Sequence, residues 1–145
     1  MNQEKIETKV ENQLKENREN AVKDVLMQTG FLTTHVLDTA RGSPAGGLHI
    51  TLFRLHDHDS KAISTAVTND DGRTDSPILP TDDFQTGQYR LVFHAGPYLN
   101  MHFSDLPEPK FLSDIPIDFA IADAESHYHV PLLLSPFGYS TYRGS

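Results

Sequence analysis

From Phe31 onward the chain sets apolar residues at every second position in short runs, and closes the runs with Gly, Pro, Asn or Asp. Such alternation sends successive side chains to opposite faces of a strand, so that one face can be buried while the other stays wet. "FLTTHVLD" places Leu32, Thr34 and Val36 on one face and Thr33, His35 and Leu37 on the other. "GLHITLFRLH" alternates through Leu48, Ile50 and Leu52, "QYRLVFHA" through Tyr89, Leu91 and Phe93, and "IPIDFAIA" through Ile115, Ile117, Phe119 and Ile121. "KAISTAVT" adds a further strand and runs into "NDDGRT", whose Asp71-Gly72 step signals a tight turn with Arg73 directly after it. "GPYLNMHFSDL" has room for one short helix before the Pro-rich "LPEPKF" loop. Seven to eight short strands with frequent turn signals predict an all-β fold, an antiparallel β-sandwich.

The segment before this pattern is of another kind. Residues 1–29 hold none of the nine prolines, nine glycines or eight histidines of the chain, and no aromatic residue. Ile6, Val10 and Leu14, then Val22, Val25 and Leu26, recur at helical spacing in an otherwise charged stretch. So few apolar side chains offset little of the entropy lost on ordering. Residues 1–30 are therefore read as an N-terminal extension, helical or disordered, and residues 31–145 as one domain.

Composition excludes several classes of function. Cysteine is absent, which removes disulfides, thiolate catalysis and Cys-based zinc sites together. Twelve Lys and Arg stand against twenty Asp and Glu, a net charge of −8, so a nucleic-acid partner is not expected. No apolar run approaches the roughly 20 residues that cross a bilayer, and the N-terminus lacks the apolar core of a secretory signal. These features predict an intracellular protein, cytoplasmic with a peroxisomal location left open. Its ligand is expected to be a small molecule, with neither a nucleic acid nor a membrane as partner.

Among the histidines, His56 and His58 share an H-x-H spacing in the polar loop "HDHDSK"; lacking a third ligand, they read as a solvated turn before a metal site. His49, His94 and His102 carry no spacing that singles them out. His127 and His129 do, because period two sets both imidazoles on one face while Tyr128, Val130 and Leu132 point the other way. Such a pair could act as a general base near neutral pH, or join a third group around a metal. Pro131 has no N–H to donate, so the segment reads as an edge strand or a bulge, and edge strands are where subunits meet.

Three blocks carry a resemblance: "LTTHVLDTARGSPAGGL" at 32–48, "TNDDGRTD" at 68–75 and "HYHVPLLLSPFGYSTYRGS" at 127–145. With them the chain resembles the 5-hydroxyisourate hydrolases, the transthyretin-related proteins of purine catabolism, over residues 32–145. The terminal Tyr-Arg-Gly-Ser is the most specific part. The resemblance implies a transthyretin-like (prealbumin-like) sandwich that pairs edge to edge into a dimer and stacks into a homotetramer, with active sites in a channel between dimers. It implies a site built from His35, Arg73 and His129, with Tyr142, Arg143, Gly144 and Ser145 binding substrate alongside His35 and Arg73. His127 takes a supporting role, and no metal or cofactor is called for. The chain departs from the family pattern at Phe111, Leu112 and Ser113, where an aromatic pair and a proline are common.

The reaction so implied is hydrolysis of the ring amide of 5-hydroxyisourate to 2-oxo-4-hydroxy-4-carboxy-5-ureidoimidazoline. His35 and His129 are the candidates to activate water, and Arg73 offers a fork of donors to the substrate's oxygens. The alternative is a transthyretin-type binding protein carrying a small aromatic ligand in the same channel, since one scaffold can serve either purpose. The channel lining discriminates: the vertebrate carrier lacks the histidines, the arginine and the Tyr-Arg-Gly-Ser end that stand here. A metal-binding sandwich rests on the histidine count alone.

Overall fold

The computed structural model describes residues 7–18 and 29–145. Residues 7–18 are helical (α1) and exposed throughout; Val10 and Leu14 lie on it, while Ile6, Val22, Val25 and Leu26 fall outside the described residues. The body runs β1 (Phe31–Asp38), β2 (Ser43–Pro44), β3 (His49–His56), β4 (Asp59–Val67), a 3-10 turn (Thr81–Asp83), β5 (Gly87–His94), α2 (Ala95–His102), β6 (Asp114–Ile121), β7 (His127–Ser135) and β8 (Gly138–Thr141). Two four-stranded sheets form, ordered β2-β1-β7-β8 and β4-β3-β5-β6.

The alternation read from the sequence fixes which side of each strand meets the other sheet. Leu32, Val36, Leu48, Ile50, Leu52, Tyr89, Leu91, Phe93, Leu132 and Leu134 are all fully or almost fully buried between the sheets. Each such aliphatic or aromatic side chain contributes on the order of 1.5–3 kcal/mol relative to exposure. Phe119 is half-buried, since it packs against the core from edge strand β6 instead of within it. Buried Asp38 is satisfied in full: Tyr98 Oη–H on α2 donates to Oδ2 at 2.6 Å, and the Ala40 and Arg41 N–H groups donate to Oδ1. Burial and this hydrogen bond push the Tyr98 hydroxyl up to about 12. At the departure noted above, Leu112 packs against the core and Phe111 stays exposed against Phe137.

Two expectations change. The sandwich is antiparallel except where β1 pairs parallel with β7, aligning Thr33 with His129 and His35 with Pro131. Also, β7 is no edge strand; it lies between β1 and β8. Proline is tolerated there because only one side of the strand loses a donor. The β8 ladder ends at the pair Leu132–Thr141, yet the chain keeps the same register as far as a bridge between His129 and Gly144. In an antiparallel ladder hydrogen-bonded pairs recur every second residue. The Gly144 N–H donates to the His129 carbonyl at 2.7 Å, so the preceding such pair would be Pro131 with Tyr142. Pro131 cannot supply its half, and the Thr141 hydroxyl takes the Pro131 carbonyl at 2.8 Å instead.

Candidate active site

The parallel pairing of β1 with β7 sets Thr33, His35, His127 and His129 on the outward side of one sheet, opposite the faces that bury Leu32, Val36, Tyr128 and Val130. Arg73 arrives from a separate loop that Asn69 ties together. The Asn69 Oδ1 accepts from the N–H groups of Asp71 and Arg73 at 2.9 and 3.2 Å, and its own N–H donates to the Arg73 carbonyl at 2.7 Å. Gly72, just before Arg73, has φ +74°, and its carbonyl oxygen accepts the Val36 N–H of β1 at 2.8 Å. A Cβ at Gly72 would lie 2.4 Å from the Val36 carbonyl oxygen, so only glycine lets the loop dock this closely. The predicted turn is therefore present, but it buttons the loop to β1 through a His35–Arg73 bridge instead of closing a hairpin.

An open cleft of about 410 Å³ forms where these elements meet, lined among others by Thr33, Arg73, His127, His129, Tyr142 and Ser145. The guanidinium of Arg73 makes no hydrogen bond or ion pair among the described residues, which leaves its fork of donors available to a ligand. A wider hollow of about 860 Å³ lies beside β4, near Arg54 and Lys61; of the histidines weighed from the sequence it includes His56 alone, and none of the residues the family resemblance assigns to the site. The smaller cleft is the candidate site because titratable and cationic groups converge there.

The electrostatics follow from that convergence. Burial, then the charge of Arg73, holds the His35 imidazole below its ordinary 6.5. His129 is lowered by burial first, then by Arg73, His127 and His35. Both rings are thereby kept neutral, and a neutral ring can accept a proton. The His35 Nε2 sits 2.9 Å from the Asp71 carbonyl oxygen, which can only accept, so this nitrogen carries the proton. The His129 Nδ1 is 2.8 Å from the Thr33 hydroxyl, and the His127 Nε2 is 2.6 Å from the same oxygen. The His129 Nε2 has no hydrogen-bond partner among the described residues.

The structure thus brings Arg73, His127, His129, Tyr142, Gly144 and Ser145 to one cleft, while His35 lies beside it, bridged to Arg73 but not part of its lining. It does not bring Arg143 to the cleft within one chain: its guanidinium lies 4.0 Å from the centre of the Tyr128 ring, beside a separate hollow between β6 and β8. Thr33 and Asn69 were not singled out in the sequence. Period two does place Thr33 on the face of His35, but the β1–β7 register that aligns it with His129 is not visible in one sequence. His56 and His58 lie at the β3–β4 hairpin turn, where His56 accepts from Arg54 Nε at 3.2 Å. Among the described residues, no three His, Cys, Asp or Glu side chains gather as a metal-binding group.

A transthyretin-type sandwich with a histidine- and arginine-lined cleft at its β1–β7 seam defines the class. The HIUase/Transthyretin family model matches residues 32–144, and the chain belongs to that family. It is 58% identical over 120 residues to 5-hydroxyisourate hydrolase 2 of Rhizobium meliloti (strain 1021), covering 83% of this chain and 100% of that protein. The solved structure of Klebsiella pneumoniae 5-hydroxyisourate hydrolase superposes with a TM-score of 0.65 at 32% identity, covering 79% of this chain and 99% of that one. Sea bream transthyretin in complex with thyroxine superposes with a TM-score of 0.68 at 28% identity, covering 78% and 93%.

Proposed function

We propose that the chain hydrolyses 5-hydroxyisourate to 2-oxo-4-hydroxy-4-carboxy-5-ureidoimidazoline. The observation that carries this reading is the convergence of His129, Arg73, Tyr142, Gly144 and Ser145 on one cleft, in a chain more similar to a protein of that name than to the thyroxine-bound carrier. His129 is the base in this reading. Its Nε2 is without a partner and the ring lines the cleft, whereas the His35 Nε2 is committed to the Asp71 carbonyl.

Water attacks the ring carbonyl as its proton passes to His129 Nε2, worth on the order of 10²–10⁴-fold for positioned base catalysis. The new oxyanion lies against the Arg73 guanidinium, whose planar fork also orients the substrate. As the ring C–N bond breaks, the proton returns to the leaving nitrogen. His35 holds neighbouring substrate atoms as a neutral ring, and Tyr142, Gly144 and Ser145 wall the cleft. Arg143 holds the terminal segment in place through Tyr128. No residue of this scheme calls for a cofactor.

The exposed end of the sheet at Tyr142 and Ser145 suits closure by a second copy, and a homotetramer built as a dimer of dimers completes the proposal. No helix among the described residues is long and apolar enough to cross a membrane, and a cytoplasmic location is proposed. The test adds purified protein to freshly generated 5-hydroxyisourate and follows its ultraviolet decay. Acceleration over the spontaneous rate is expected; its absence would return the carrier reading to first place.

A further inference from the structure

The hydroxyl of Thr33 is shared between two imidazoles. Its Oγ1 stands 2.6 Å from His127 Nε2 and 2.8 Å from His129 Nδ1, and the three groups come from neighbouring strands of one sheet. A hydroxyl has one proton to give and lone pairs to receive. With both rings neutral, it must donate to one ring and accept from an N–H of the other. The pattern is a three-membered hydrogen-bond chain, His129–Thr33–His127, whose two ends differ. His129 is half-buried in the cleft, and His127 is exposed. The His127 ring is also clamped, stacked on Phe31 with centroids 4.1 Å apart and planes 13° from parallel.

We propose that Thr33 is a positioning residue that relays a proton between His129 and His127, so that the base in the cleft never has to hold positive charge. The proposal rests on the hydrolytic reading above. At rest the His129 Nδ1–H donates to Thr33 Oγ1 and the Thr33 hydroxyl donates to His127 Nε2, which leaves His129 Nε2 as a lone pair toward the cleft. When water loses its proton to His129 Nε2, the Nδ1 proton moves to Thr33 Oγ1 and the hydroxyl proton moves to His127 Nε2. One O–H bond of water breaks as its oxygen joins the carbonyl carbon, one N–H bond forms on each ring, and His129 ends neutral. The charge rests on His127 in solvent. The reverse shift returns the proton through His129 Nε2 to the ring nitrogen that leaves. Exporting the charge matters because burial, Arg73, His127 and His35 all oppose an imidazolium at His129. Asp75 and Ser145 also line the cleft.

The test uses the full chain and two variants. Thr33→Val keeps the shape and the β-branch but removes the hydroxyl, whereas Thr33→Ser keeps the hydroxyl. Thr33→Val should lose about tenfold or more in kcat, with KM within about twofold, and Thr33→Ser should restore most of it. In mixtures of light and heavy water the wild-type rate should curve, because several protons move together, and the Thr33→Val rate should be linear. Wild-type kcat in Thr33→Val, or equal loss in both variants, overturns the relay. Nitrogen NMR of labelled histidines gives a readout that needs no substrate. His129 should be protonated at Nδ1 in the wild type and lose that preference in Thr33→Val. An Nε2–H tautomer in the wild type, or one unchanged by the substitution, overturns the proposal. If the wild type fails to accelerate 5-hydroxyisourate decay, the functional reading falls, and the tautomer measurement still decides the hydrogen-bond chain.

Discussion

Gly144 is pressed onto His129. Its N–H donates to the His129 carbonyl at 2.7 Å, and a Cβ built on it would meet the ring's Cδ2 at 2.5 Å and its Cγ at 3.2 Å. The terminal segment thus fixes the proposed base from its outer side while Thr33 holds it from the inner one. Gly144→Ala should push the ring off its position and lower kcat/KM by about 10- to 100-fold, with thermal stability close to wild type because the segment lies at a sheet edge. Deleting residues 142–145 should do at least as much. Full activity in either form would remove the terminal segment from the site.

Arg73 tests a different bond. Its loop is held by Asn69 through backbone contacts, so side-chain changes should leave the fold unaltered. Arg73→Lys keeps the charge and loses the fork, and should cost about 10- to 100-fold in turnover. Comparing kcat/KM with melting temperature separates a binding role from a structural one. A melting temperature that falls together with turnover would mark Arg73 as structural.

The same residue contributes, after burial, to the expected pH dependence. A base must be neutral to work, and both His35 and His129 are held below their ordinary 6.5. The acidic limb of kcat/KM should therefore lie below pH 6.5. Removing the charge with Arg73→Gln should move that limb upward. The sign for stability follows from the same shift: below the unfolded value the unfolded chain binds more protons than the native one, so stability falls as pH falls toward the lowered native values. A limb that ignores the substitution would show that neither histidine sets it.

His129→Asn should lower kcat by on the order of 10²–10⁴-fold, as loss of a general base does. His127→Asn should cost less, because the base remains and only the outlet for its charge is lost. Stopped-flow rates for the two variants, beside their melting curves, check the order. A reversed order would exchange the two roles.

Tyr98→Phe is the control far from the cleft. It leaves the Asp38 Oδ2 without its donor, with an expected cost of about 1–3 kcal/mol in stability. Turnover at a temperature where the variant is folded should match wild type. Residues 1–28 give a second control. A chain beginning at Thr29 keeps the bond from its hydroxyl to the Glu125 carbonyl and should retain activity within a few-fold. A loss of about 100-fold, some 2.7 kcal/mol, would assign the extension a part in the site.

The strand faces were legible because burial on one side leaves a period of two. Leu32, Val36, Tyr89, Leu91 and Phe93 stand where that period puts them. Strand β2 escaped because two residues carry no period, and β8 because Pro136 and Gly138 read as loop. The edge reading of β7 failed for a physical reason: Pro131 lacks one donor on one side, which forbids a bond there but not a neighbour. His35, Arg73 and His129 could be named from motif residues, while Thr33 could not, since pairing across 96 positions of chain leaves no local trace. Arg143 shares a motif with its neighbours, yet adjacent residues near a strand end point to opposite sides.

The seam between β1 and β7 also sets when the site can come into being. Thr33 and His129 lie 96 positions apart, and β1 meets β7 along its entire length. Contacts this remote close the largest loop of the domain and are slow to form. Local hairpins such as β3–β4 can assemble without them. Catalytic competence is therefore expected late in folding, and the return of turnover after dilution from denaturant would clock the joining of the domain's first strand to its penultimate one.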